Sequence, residues 1–60
     1  MFAEAKSKLT ESEFEMVELL LADSQSRSVA VDFLRKRFAM PARVAMMMAQ
    51  TWNDPDEGGH

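Results

Sequence analysis

Apolar residues fall at helical spacing in two stretches of this chain and then crowd together in a third. Phe14, Val17 and Leu21 share one face of a helix, with Leu20 widening the stripe, while Glu11, Glu15 and Glu18 line the other side. Val31, Leu34 and Phe38 repeat the pattern, flanked by Ala30 and Phe33, and Arg35 and Lys36 point away from it. Residues 44–49 are then apolar without a break, so a helix there is apolar around most of its circumference. A three-helix domain buries one face of such a helix and hardly all of it. Val44, Met48 and Trp52 are expected inward with Ala45, which leaves Met46, Met47 and Ala49 to water or to a partner.

Polar residues mark where these helices begin and end. Thr10-Glu11-Ser12-Glu13 is a capping box, in which hydroxyl and carboxylate satisfy exposed N–H groups reciprocally, and Leu9 and Phe14 stand at the positions of a hydrophobic staple. A first helix is expected from Glu11 to Ala22 or Asp23. Residues 23–28 compete for backbone hydrogen bonds and read as a loop, with Ser26 or Ser28 capping a second helix over residues 29–38. That helix cannot pass through Met40, because a following proline disfavours helical geometry. Pro41 suits the first position of a third helix, expected to start at Pro41 or Ala42 and reach Thr51 or Asn53 before Asp54-Pro55 ends it. The expected fold is an all-α three-helix domain of helix-turn-helix type over residues 9–53. Residues 1–8, without periodic pattern, are expected to be flexible, and residues 54–60 to form an acidic disordered tail.

Sixty residues are near the lower limit for a chain that folds without disulfides or metal, and there is no Cys to supply either. Help from a partner or a second copy is plausible on size alone. Glu4, Lys6 and Lys8 precede any apolar run, and six consecutive apolar residues are too few to span a bilayer. A cytoplasmic protein without membrane contact is the expectation.

The net charge of -3 hides a sorted distribution. Residues 1–26 carry two lysines against six carboxylates, net -4, whereas residues 27–53 carry five cations against Asp32 alone, net +4. A basic module between acidic segments still binds a polyanion, because the potential at the contact face decides. Arg27, Arg35, Lys36, Arg37, Arg43 and Gln50 are therefore the candidate nucleic-acid contacts. Arg43 falls in the first turn of the third helix, the part of a recognition helix that reaches base edges, and Gln50 falls further along, nearer the backbone. So few cations per subunit give weak binding, so a homodimer on double-stranded DNA is expected. Met46 and Met47, with Trp52 as anchor, form a competing candidate: a protein-binding or self-association face on the third helix.

Catalysis finds no candidates: the lone His is the final residue, Tyr and Cys are absent, and the serines sit in a loop or at caps. No cofactor is expected. The spacing of Asp54, Asp56, Glu57 and His60 matches no metal-binding loop, so no metal site is expected either.

From Glu15 to Gln50 the chain resembles the gamma domain of FtsK-type DNA translocases, a winged helix that reads short oriented DNA sequences. The resemblance rests on Met16-Val17-Glu18-Leu19-Leu20-Leu21, on residues 28–38 with Arg35-Lys36-Arg37, and on Met40-Pro41-Ala42-Arg43-Val44-Ala45-Met46-Met47. Apolar positions match without a gap from Ala30 onward. Arg43 stands at the family's Asn position, and Val44 and Met47 stand where the family has arginines. The family's wing is not expected here, because the chain turns acidic at Asp54. The resemblance implies a tri-helical core and DNA as partner.

Overall fold

A computed structural model describes residues 2–54, and these contain four α-helices and no strand. The helices are α1 (Ala3–Ser7), α2 (Glu11–Ala22), α3 (Arg27–Phe38) and α4 (Ala42–Gln50), with a single 3-10 turn, Ser24–Ser26, between α2 and α3. The described residues are therefore all-helical in their regular structure, as the periodicity implies. Residues 55–60 of the expected acidic tail lie outside the described residues.

The start of α2 follows the capping box. The Thr10 hydroxyl accepts the Glu13 N–H at 3.1 Å, and the Glu13 carboxylate accepts the Thr10 N–H at 2.9 Å. Leu9, before the cap, is buried, and Phe14, in the first turn, packs against the same cluster.

Three expectations about boundaries are corrected. The segment expected to be flexible contains α1, because Phe2 and Ala5 pack against the core and the Lys6 ammonium donates to the Trp52 carbonyl at 3.0 Å. The second of the expected helices begins at Arg27 rather than at residue 29. Asp23 accepts both the Gln25 N–H (3.2 Å) and the Ser26 hydroxyl (2.9 Å), and the tight turn it forms feeds directly into α3. Ser26 takes the cap position with its hydroxyl already given to Asp23, so it makes no capping bond to α3. Of the two expected starts of α4 the structure takes Ala42: Pro41 precedes the helix, its backbone extended (φ -61°, ψ 153°) while its carbonyl accepts the Ala45 N–H at 3.0 Å. At the far end α4 stops at Gln50, short of the expected Thr51 or Asn53: the Thr51 hydroxyl donates to the Met47 carbonyl at 2.8 Å and takes up one of the helix's last acceptors.

The core joins the three longer helices: Leu9, Val17 of α2, Ala30 and Leu34 of α3, Ala45 and Met48 of α4, and Trp52 just beyond it. Leu20, Leu21, Val31, Phe33 and Phe38 close around it half-buried. Val44 is half-buried, whereas Ala49, expected to face water or a partner, is buried.

Candidate nucleic-acid interface

Three residues, Ala39, Met40 and Pro41, carry the chain from α3 into α4. The reversal depends on Ala39, whose backbone is left-handed (φ 52°, ψ 43°). That geometry turns the Met40 N–H back onto the Arg35 carbonyl at 3.0 Å and satisfies an acceptor at the end of α3.

Beyond this turn, α4 has two sides. Ala45, Met48 and Ala49 are buried, and Arg43, Met46, Met47 and Gln50, spaced at i, i+3, i+4 and i+7, form the exposed side. Met46 and Met47 remain 49% and 44% exposed. Trp52, expected to join them as an anchor, is 4% exposed and belongs to the core. Its ring lies 5.0 Å from that of Phe14, and the Lys6 ammonium sits 5.3 Å above it. A residue one turn past Met48 on the same face follows that face inward, which the helical spacing already implied.

The cations divide by their partners. Arg35 and Lys36 both pair with Asp32, at 2.9 and 3.2 Å, as expected of residues three and four positions along one helix. Arg37 reaches across to α2, pairing with Glu13 at 3.1 Å and donating to the Lys8 carbonyl at 3.2 Å. It ties the end of α3 to the start of α2 and stands apart from the other cations. Arg27 and Arg43 form no ion pair among the described residues. These pairs set the two perturbed carboxyls. The Arg35 hydrogen bond, then that of Lys36, holds Asp32 below the usual aspartate range, and the Thr10 N–H, followed by Arg37, holds Glu13 below the usual glutamate range.

A groove of about 370 Å³ between α3 and α4 brings Arg27 and Arg35 together with Met46 and Gln50, beside the less exposed Val31 and Ala49. Four of the expected site residues thus share one surface feature. Arg43 lies on the exposed side of α4 next to it, Lys36 is connected through Asp32, and Arg37 and Trp52 are elsewhere. Asp32, in the groove wall, is the site residue that the charge count treated only as an exception. Its i+3 and i+4 cations were the signal that it answers them directly.

Among the described residues no group of His, Cys, Asp and Glu is arranged to hold a metal ion, and no helix is long and apolar enough to cross a membrane. Comparison with protein-family models, with curated proteins and with solved structures found no match.

Proposed function

We propose that this chain is a small DNA-binding protein of helix-turn-helix type, a transcriptional regulator or DNA-accessory factor that acts as a homodimer, with α4 as its recognition helix. The observation that carries this reading is the exposed side of α4, which holds Arg43 in its first turn and Gln50 at its end, with Arg27 and Arg35 at the adjoining groove. Arg43 is placed to meet a guanine edge, and Met46 and Met47 offer the apolar contact that a thymine methyl accepts. Lys36 and Arg35 serve phosphates flanking the groove, where exposed and therefore screened pairs with Asp32 give way to a stronger polyanion.

Fluorescence anisotropy of a mixed-sequence duplex, titrated at low and at moderate salt, tests it. Binding is expected to weaken steeply with salt and to be lost in Arg43→Ala and Arg35→Ala. Variants that bind as well as the parent would remove this surface from the assignment.

A second reading, a helical protein-interaction module, rests on the exposure of Met46 and Met47. It predicts that Met47→Lys abolishes association with a protein partner while charge changes on α3 do little.

A further inference from the structure

The outer side of α2 is the chemical opposite of the α3–α4 groove. Met16 and Leu19 are exposed there, Leu19 at 69%, with Glu15, Glu18 and Asp23 around them. No cation occurs anywhere in α2, and none of these three carboxylates forms an ion pair among the described residues. Leu19 thus projects as an apolar knob from an acidic surface. The groove between α3 and α4 is an apolar recess walled by Arg27 and Arg35, with Met46 at its edge and only Asp32 as acid. The two surfaces have no lining residue in common.

We propose that the groove receives the α2 ridge of a second copy, Leu19 entering beside Val31 and Met46 while Glu15 and Glu18 approach Arg27 and Arg35. Charge decides between this head-to-tail arrangement and the symmetric alternatives. Two α2 ridges face to face would oppose Glu15 and Glu18 to their own copies, and two grooves would oppose Arg27 and Arg35 to their own copies with one Asp32 each to offset them, whereas ridge on groove matches acid to base around an apolar centre. A contact between two different surfaces does not close at two chains, so assembly proceeds to short chains or rings. This inference does not depend on DNA binding. If both hold, Arg35 and Met46 serve either duplex or neighbour, and the assembled form is the DNA-free form.

Light scattering of the full chain over a range of concentrations, at low and moderate salt, is the test, with two variants that leave the core untouched. Leu19→Ser removes the knob, and Arg27→Gln with Arg35→Gln removes the basic wall. The parent is expected to gain mass with concentration beyond a dimer and to lose it with salt. Leu19→Ser is expected to weaken association roughly tenfold or more, the loss for one buried leucine. At concentrations where the parent has just begun to assemble, each variant alone stays monomeric, but an equimolar mixture forms a 1:1 pair and stops there, because one supplies an intact groove and the other an intact ridge. A mixture that stays monomeric overturns the proposal, as does a parent dimer indifferent to Leu19→Ser. A parent that stays monomeric alone yet binds duplex DNA as a dimer overturns it and leaves the DNA reading standing. A parent that assembles as described and ignores DNA does the reverse.

Discussion

Ala39 carries a conformation that its own side chain opposes. With φ at 52° it occupies the left-handed region, where a Cβ crowds the backbone and glycine does not. Ala39→Gly is therefore expected to stabilise the protein by about 0.5–1 kcal/mol, the greater backbone freedom of glycine in the unfolded chain offsetting part of the relieved strain. Thermal denaturation would show a higher midpoint, and a lower one would mean that Ala39 is not left-handed in solution. Glu13 and Asp32 make a second statement at this scale. A carboxyl whose pKa is depressed by folding contributes stability that is fully present above its unfolded value and is lost as pH falls through its folded value. The melting temperature should accordingly fall with acid across and below the usual carboxylate range. Glu13→Gln, which cannot titrate, should flatten part of that fall; an unchanged profile would show that the Thr10 and Arg37 contacts are not kept in solution.

At the scale of elements, what could be read from sequence was what local chemistry determines. Thr10 and Glu13 fix the start of α2, and the spacing of Val17, Leu34 and Met48 identifies an inward residue on each of the three longer helices. One element depended on long-range contacts that spacing does not encode. Five residues of α1 show no periodicity, and they are helical where Phe2 and Ala5 meet a core built by distant residues. Ala49, expected at the surface, is different: it continues the i, i+3, i+4, i+7 series of Ala45, Met48 and Trp52, so its burial follows from the spacing itself. The candidate cations were legible as a group, but their pairing across elements, Arg37 with Glu13, was not. If α1 is a cover for Trp52, Phe2→Ala combined with Lys6→Ala should shift the emission of this single tryptophan to the red while helical content stays nearly constant. Unshifted emission would show that the indole is shielded without α1.

For the whole molecule, stability is the narrow quantity. A domain of this size has about 3–9 kcal/mol to lose, by the usual per-residue range, and the fully buried side chains larger than alanine are Leu34, Met48 and Val17. Leu34→Ala is expected to cost about 2–5 kcal/mol, enough to leave much of the population unfolded near physiological temperature. A circular-dichroism melt that hardly moves would place the core elsewhere. The same narrow margin explains why charge is segregated on the outside rather than buried: none of the charged side chains among the described residues is buried, so the acidic and basic faces remain available for contacts with other molecules.

The hydrogen bond from Lys6 to the Trp52 carbonyl joins residues 46 positions apart. Topologically, it makes the described chain nearly a closed ring whose seam lies beside the indole. A covalent linker across that seam, with new ends opened at the polar turn Ser24–Ser26, would give a circular permutant that gives up only that 3-10 turn and keeps all four α-helices and the core contacts in place. In such a protein the order of synthesis changes, so that the α3–α4 unit emerges first and α2 last, while the surface it presents stays the same.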